Sequence, residues 1–316
     1  MPDLIGKITK GDCLEIMKDI PDNSINLIMN DPPYFEVKGE FDFSWKTFED
    51  YLKDVTKWVI ECKRVLKENG TLFWWGNTKK IAYSQIILDK YFKLKNSMLW
   101  YKPDSQQRQY YSVELSRCFT THNERVLMYS NDFESVHNET ELKTYFKEFL
   151  NSTGYSKAKI IKIIRHGADH CFRWGRNQWN MPTKETYAKL LKLPNENNFL
   201  RKEYEELRRP FNNILKIEDV LTFSTESNLT RQWKHPTQKT EKLYEALIST
   251  CSREQDIILD CFSGSGVTGV VCSKLNRRFI CIEKDIKHVK TSRHRLAAWE
   301  ETQRLLELQK KQVYLY

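Results

Sequence analysis

The sequence lacks the features that mark membrane-spanning, secreted and disulfide-stabilised proteins. No apolar run approaches the ~18 residues that a membrane-spanning helix needs. The first twelve residues contain neither the apolar core nor the small-residue cleavage site of a secretion signal. The eight cysteines are scattered, and none belongs to a C-x-x-C pair. We therefore expect a cytoplasmic protein with free thiols, without a metal site and without a disulfide framework.

Glycine is scarce but locally concentrated. Only 11 of the 316 residues are glycine, and Gly264, Gly266 and Gly269 fall within six positions. An apolar strand-like segment precedes them, a helix-like segment follows, and Glu283 ends the next strand-like segment. This pattern is typical of sites for nucleoside-bearing cofactors, because glycines let the ligand approach the backbone and the acid accepts hydrogen bonds from the ribose hydroxyls.

An NAD-dependent oxidoreductase is one interpretation of this glycine turn, and the order of elements disfavours it. Only 31 residues follow Asp285, and they are helix-like. Because two strands cannot make a doubly wound sheet, the remaining strands must come from the beginning of the chain. There, Asp12 follows a short strand at 6–10, and we expect it to complete the nucleoside site.

The remaining pattern predicts an α/β protein interrupted by a mainly helical region. Strands are predicted at 25–30, 71–76, 96–102 and 124–130, the last two antiparallel, and a helix at 47–69 that begins at Thr47 and ends at Gly70. In the middle of the chain, helices are predicted at 156–166, 183–193 and 199–209. These patterns divide the chain into 1–132, a helical region at 133–227, and 228–316.

Positive charge is concentrated in that helical region. The chain has a net charge of +9, and residues 151–210 contain 13 Lys and Arg against 6 Asp and Glu. Such a surface attracts polyanions such as nucleic acids. A solvated charged face is the alternative interpretation.

Four short motifs follow one another along the chain. They are Gly11-Asp12, Asp31-Pro32-Pro33-Tyr34, "HPTQKT" at 235–240, and Phe262-Ser263-Gly264-Ser265-Gly266. Their order resembles the β class of amino-group DNA methyltransferases, which carry D-P-P-Y first, a target-recognition insertion next, and F-x-G-x-G last. Thr240 departs from the family's usual proline, and the resemblance does not extend to the middle of the chain.

The resemblance implies a circularly permuted, Rossmann-like methyltransferase fold with S-adenosylmethionine as the cofactor. The implied cofactor-binding residues are Asp12, Asp31, Lys239, Thr240, Asp260, Phe262, Ser263, Gly264, Ser265, Gly266 and Glu283. The implied partner is double-stranded DNA, without a membrane, in restriction–modification. Members of this class often dimerise, so a homodimer is a further expectation, although we expect the C-terminal amphipathic helix to pack on the sheet.

The catalytic residues implied by the resemblance are Asp31, Pro32, Pro33 and Tyr34. The lone pair of a base amino group is delocalised into the ring, and two hydrogen-bond acceptors, Asp31 and the Pro32 carbonyl, would make it available. Tyr34 or the neighbouring Phe35 would stack on the base. An aspartate at the head of the motif favours adenine N6, and cytosine N4 stays the alternative, because cytosine enzymes more often have serine there.

The stretch 171–180 interleaves aromatic residues with side chains that read bases. The candidate DNA-binding residues are Arg173, Arg176, Asn177 and Gln178. In the alternative interpretation, the tryptophans are core and the arginines contact only phosphate. His166, His170 and Cys171 have no matching second pair, which favours a structural role over metal binding. A non-catalytic DNA-binding protein on a methyltransferase scaffold is the third functional hypothesis.

Overall fold

The structure is a computed structural model that describes residues 1–37, 40–103, 123–131, 141–165, 169–174, 179–225, 233 and 238–313. The chain forms two compact units. The larger contains Met1–Asn131 and Pro210–Tyr316, and the smaller contains Asp132–Arg209. Within the described residues, no helix has the length and apolar character needed to cross a membrane.

An eight-stranded sheet forms the centre of the larger unit. Its strands are β1 (Lys7–Lys10), β2 (Ile25–Asn30), β3 (Leu66–Gly76), β4 (Lys93–Tyr101), β5 (Asn123–Ser130), β6 (Val220–Thr222), β7 (Ile257–Asp260) and β8 (Arg278–Glu283). Their order is β1-β8-β7-β2-β3-β5-β4-β6. Among these strands, β5 alone pairs antiparallel with its neighbours, β3 and β4. The antiparallel pairing predicted for β4 and β5 is thereby confirmed.

The described part of the chain contains ten α-helices. They are α1 (Cys13–Ile16), α2 (Phe48–Val65), α3 (Ile81–Leu88), α4 (Glu141–Asn151), α5 (Lys157–Ile164), α6 (Lys184–Leu190), α7 (Tyr204–Leu207), α8 (Glu241–Cys251), α9 (Val267–Lys274) and α10 (Ile286–Val313). Alternate residues of a strand face opposite sides of a sheet. Accordingly, Ile28 of β2 packs in one core with α1, α2 and α3. Leu27 and Met29 pack in a second core with α8, α9 and α10.

The two ends of the chain meet at the centre of this sheet. β2 pairs in parallel with β3 on one side and with β7 on the other. β7 pairs with β8, and β8 pairs with β1, again in parallel. Because parallel strands end at the same edge of a sheet, the segments that follow β1, β2, β7 and β8 lie side by side. The prediction that the N-terminal segment supplies the missing strands is confirmed.

Helix α2 ends earlier than its apolar spacing predicts. Thr47 caps its first turn by accepting a hydrogen bond from the Asp50 N–H, as predicted. The predicted stop at Gly70 is wrong, because Leu66 is already extended (φ −75°, ψ 130°) and pairs with Ile25 of β2. Gly70 therefore lies inside β3.

The smaller unit is a helical assembly with its own aromatic core. The residues of this core come from α4, α5, α6, α7 and the turn after α6. Trp174 and Trp179 stack at 6.4 Å between ring centroids and pack against this core. The interpretation of these tryptophans as core residues is therefore favoured.

Two expectations about the second half of the chain change in the structure. The smaller unit ends at Arg209 and not at residue 227, because β6 pairs with β4 and draws the intervening chain into the larger unit. Helix α10 is continuous but packs only along its first half, through Val289 and Leu296 among others. Residues 300–309 are exposed, so only part of this helix packs on the sheet as expected.

Candidate active site

A cavity of about 680 Å³ opens where β1, β2, β7 and β8 end. Ten of the residues predicted from the sequence line it: Asp12, Asp31, Pro33, Lys239, Asp260, Phe262, Ser263, Gly264, Ser265 and Glu283. Of the other predicted residues, Tyr34 donates a hydrogen bond from its hydroxyl to Asp31, which lines the cavity. Thr240 caps α8 by accepting a hydrogen bond from the Leu243 N–H at 3.3 Å. The volume is within the range of ~300–1,000 Å³ that is usual for cofactor and ligand sites.

The glycine turn after β7 forms one wall of this cavity. Gly264 and Gly266 have φ angles of +48° and +74°, a region that favours glycine. The carboxylate of Glu283, at the end of β8, accepts a hydrogen bond from the Gly264 N–H at 2.8 Å. Asp260 accepts from the Phe262 N–H at 3.0 Å and from the hydroxyl of Thr268. Side chains of two neighbouring strands therefore fix the shape of the turn.

Asp31 stands directly after β2, at the rim of the same cavity. Its Oδ1 accepts a hydrogen bond from the Tyr34 hydroxyl at 2.5 Å. Its Oδ2 lies 2.8 Å from Nζ of Lys239. The sequence predicted Tyr34 as a stacking surface and Lys239 as a cofactor ligand. In the structure, both side chains also contact the predicted catalytic carboxylate.

Two further charged residues, which sequence reasoning missed, extend this contact. Lys239 Nζ also lies 2.8 Å from Glu124 on β5. Glu124 in turn pairs with Lys102, which directly follows β4. We call Lys102, Glu124, Lys239 and Asp31 the charge chain. Glu124 lies opposite Trp100 in the β4–β5 register, so a register for the predicted antiparallel pair would have brought Glu124 and Lys102 together.

Burial and neighbouring charges oppose each other along the charge chain. Burial raises the pKa of Asp31, and Lys239 offsets only part of that rise because the charge of Glu124 acts in the same direction as burial. Burial would also raise the pKa of Glu124, but Lys239 and Lys102 hold it at about 2. Burial would lower the pKa of Lys239, but the two carboxylates raise it. Lys239 is thus a cation shared between two acids.

The residues around the cavity fit a nucleoside-bearing cofactor such as S-adenosylmethionine. Ser263 Oγ is buried and has no hydrogen-bond partner in the described part of the protein, so it is available to a polar ligand group. Burial would raise the pKa of Glu283, but hydrogen bonds from His288 and from two backbone N–H groups lower it, so the carboxylate is ionised. Trp45 and Trp58 add aromatic surface to the lining. His288 and both tryptophans were not predicted from the sequence as residues of the site.

The predicted DNA-reading residues are only partly described. Arg173 donates to Asp169 from Nε at 3.0 Å and from a terminal nitrogen at 2.7 Å. Arg176, Asn177 and Gln178 lie outside the described residues. A role of these four side chains in DNA binding stays a prediction.

A family model described as "DNA methylase" matches residues 25–294, which include strands β2 to β8 and the segment between them. This chain belongs to the DNA methylase family. The resemblance drawn from the four motifs is confirmed, and the oxidoreductase interpretation is not supported.

Several curated proteins are similar to this methylase over most of its length. Type II methyltransferase M2.DpnII of Streptococcus pneumoniae is 26% identical over 312 residues, which cover 93% of this chain and 91% of that protein. DNA adenine methyltransferase YhdJ of Escherichia coli (strain K12) is 27% identical over 298 residues, which cover 92% of this chain and 82% of that protein.

Solved structures share the fold. The PvuII DNA methyltransferase (cytosine-N4-specific) superposes with a TM-score of 0.55 at 17% identity, covering 90% of this chain and 84% of that one. The M1.HpyAVI–SAM complex superposes with a TM-score of 0.52 at 21% identity, covering 92% and 98%. At these identities the likeness establishes the Rossmann-like methyltransferase fold, which confirms the predicted fold class.

Proposed function

We propose that this methylase transfers a methyl group from S-adenosylmethionine to N6 of a specific adenine in double-stranded DNA. The observation that carries the proposal is the position of Asp31, at the rim of a cavity whose other wall is the glycine turn from the opposite end of the chain. The aspartate of D-P-P-Y and the name of the similar E. coli protein, DNA adenine methyltransferase, support adenine as the base.

The segment after β2 is suited to activating an amino group. Asp31 and the carbonyl of Pro32 offer two acceptors for the two N–H bonds of the amine, which turns its lone pair toward the methyl donor. Pro33 has no N–H and a fixed φ, and it also restricts the backbone of Pro32. The second acceptor is therefore held by a stiff backbone.

The cavity residues divide between the parts of the cofactor. The ionised Glu283 would accept hydrogen bonds from the ribose hydroxyls, and Asp12, which follows β1, would face the base. Ser263 would bind a polar group through its unpartnered hydroxyl. When bound, S-adenosylmethionine supplies the electrophilic methyl group.

The target base must leave the duplex to reach Asp31. Extrusion of a base costs a few kcal/mol, and stacking on an aromatic ring such as Tyr34 returns ~1–3 kcal/mol. The basic region that contains Arg173, Arg176, Asn177 and Gln178 would contact the DNA. The same proposal places the enzyme in the cytoplasm, which agrees with seven buried free thiols among the described residues.

Mass spectrometry of nucleosides tests the proposal directly. Duplex DNA is incubated with the purified protein and S-adenosylmethionine, digested and analysed, and N6-methyladenine is expected. N4-methylcytosine as the only product would overturn the assignment of adenine. Modification-aware sequencing of DNA from expressing cells would then define the recognition site.

Asp31→Ala separates catalysis from binding. The variant is expected to bind DNA but to produce no methylated base, because the first acceptor is lost. A wild-type protein that binds DNA and transfers no methyl group to any duplex would instead support the non-catalytic scaffold.

Light scattering of the purified protein tests the expected homodimer.

A further inference from the structure

The charge chain places a buried cation beside the carboxylate that the proposed reaction uses. The Lys239 side chain is only 4% exposed, and its ammonium lies 2.8 Å from both Asp31 and Glu124. Lys102 neutralises Glu124 from the other side. The four residues come from four separate segments: the ends of β4 and β2, the start of β5, and the residue before the cap of α8. An arrangement assembled from so many elements requires the whole fold.

The position of Lys239 raises a specific electrostatic problem. Methyl transfer consumes a cationic donor and leaves positive charge on the target nitrogen, so the site needs the negative charge of Asp31. An ammonium at 2.8 Å reduces that charge. However, burial without a cationic neighbour would favour the protonated form of Asp31. A protonated carboxyl is a weaker acceptor for the hydrogen bonds from the Tyr34 hydroxyl and from the target amine. A cation shared with a second acid resolves both requirements.

We propose that Lys239 is a positioning residue that keeps Asp31 ionised and fixes the direction of its carboxylate, and that Glu124 holds Lys239 so that it neutralises Asp31 only in part. The inference rests on the proposed methyl transfer. It also replaces the sequence-based expectation that Lys239 binds the cofactor. Lys102 has a supporting role, because it compensates the charge of Glu124.

Because of this geometry, substitutions of Lys239 and of Glu124 should move the pKa of Asp31 in opposite directions. Without the ammonium of Lys239, the pKa of Asp31 rises further, because burial and Glu124 then act unopposed. Without the charge of Glu124, the pKa of Asp31 falls, because Lys239 is left to Asp31 alone. Among the described residues, the other ionisable groups near Asp31 include Lys102, Tyr34, Asp42, Tyr51, Tyr244 and Asp260. Neither variant substitutes any of them.

The test is the pH profile of single-turnover methyl transfer by Lys239→Met and Glu124→Gln, with the full-length protein and saturating S-adenosylmethionine. In Lys239→Met, the acidic limb is expected to move to higher pH, and activity below the limb should fall about ten-fold for each pH unit that the limb moves. In Glu124→Gln, the limb is expected to move to lower pH, with a lower plateau rate. Lys239→Arg should restore most of the wild-type profile.

A lysine elsewhere in the larger unit provides the matched control. Lys274 also bridges two carboxylates, Glu241 and Glu245, between α9 and α8. Lys274→Met should therefore leave the pH profile unchanged. Thermal unfolding of every variant checks the fold. If Lys239→Met does not fold, the double variant Lys239→Met/Glu124→Gln provides a second test, because it removes one positive and one negative charge together. Its acidic limb should fall between those of the single variants.

Three outcomes would overturn the inference. They are an unmoved profile in Lys239→Met, a movement of the limb in the same direction in Glu124→Gln, and a rise in the dissociation constant of S-adenosylmethionine as the sole effect of Lys239→Met. The last result would return Lys239 to the role of cofactor ligand. Mass spectrometry of the nucleosides after reaction identifies the product of the wild-type protein. A wild type that forms no methylated base therefore refutes the proposed function separately from this inference.

Discussion

Replacing Gly266 by alanine tests whether the glycine turn is required by its backbone shape. Gly266 caps α9 with φ +74° and ψ 23°, in the left-handed region. A Cβ at this position would lie 2.6 Å from Cβ of Ser292 and 3.0 Å from its Cα. These atoms belong to the body of α10 and not to the end of a flexible side chain. The helix would therefore have to move.

The size of the effect follows from two separate terms. A non-glycine residue in the left-handed region costs roughly 1–2 kcal/mol. Overpacking against a helix costs about 1–3 kcal/mol. Together they predict that Gly266→Ala lowers the free energy of unfolding by about 2–5 kcal/mol, a large part of the ~5–15 kcal/mol that stabilises a typical protein.

The third glycine of the same motif is the matched control. Gly269 lies inside α9, and a Cβ there would first meet the ring of Phe279 at 3.4 Å. Alanine is a better helix former than glycine by ~1 kcal/mol, so Gly269→Ala should be neutral or slightly stabilising. The assay is urea unfolding followed by tryptophan fluorescence. Equal midpoints for the two variants would refute the reasoning.

Three further outcomes follow from the contacts of the site. Tyr34→Phe removes the hydroxyl that lowers the pKa of Asp31 but keeps the aromatic ring, so methyl transfer should fall more at low pH than at high pH in a pH–rate assay. Burial raises the pKa of Asp260 to about 7. Just below pH 7, this carboxyl therefore holds a proton in the folded protein that it has lost in the unfolded chain. Stability should therefore decline by up to ~1.4 kcal/mol per pH unit between the unfolded value and pH 7. Urea titrations of Asp260→Asn should lack that decline. Glu283→Gln weakens the hydrogen bond from the Gly264 N–H and removes a charged acceptor for the ribose hydroxyls. Because a hydrogen bond to a charged group contributes ~1.5–3 kcal/mol, calorimetry should show at least ten-fold weaker binding of S-adenosylmethionine.

The sequence determined the elements that carry local signals. The strand before Asp31 and the strand–turn–helix around Gly264 were predicted because apolar runs, prolines and glycines constrain the backbone where they stand. The meeting of the chain ends was predicted for a different reason. Too few strands remained after Asp285, so the sheet had to recruit strands from the other end.

The charge chain escaped prediction because its contacts depend on registers and side-chain directions. Glu124 is the second residue of one strand and Lys102 follows another, and each is an ordinary charged residue in its local context. The predicted antiparallel pairing specified neither their register nor the side of the sheet on which they lie. The motif around Lys239 predicted a cofactor-binding role, and Lys239 lines the cavity with the other predicted residues. The ion pairs with Asp31 and Glu124 could come only from the structure.

Two asparagines of β2 explain how the separate chain ends keep a common register. The backbone ladder between β2 and β7 is short, pairing Leu27 with Ile258 and Ile28 with Leu259. Asn26 Oδ1 accepts from the Ile257 N–H at 3.1 Å, before this ladder, and Asn30 Oδ1 accepts from the Cys261 N–H at 3.2 Å, after it. A slip of one residue would move the glycine turn by ~3.3 Å relative to Asp31, about the distance over which methyl donor and acceptor must be aligned. These amides therefore align Asp31 with the glycine turn, although the two segments are separated by most of the chain.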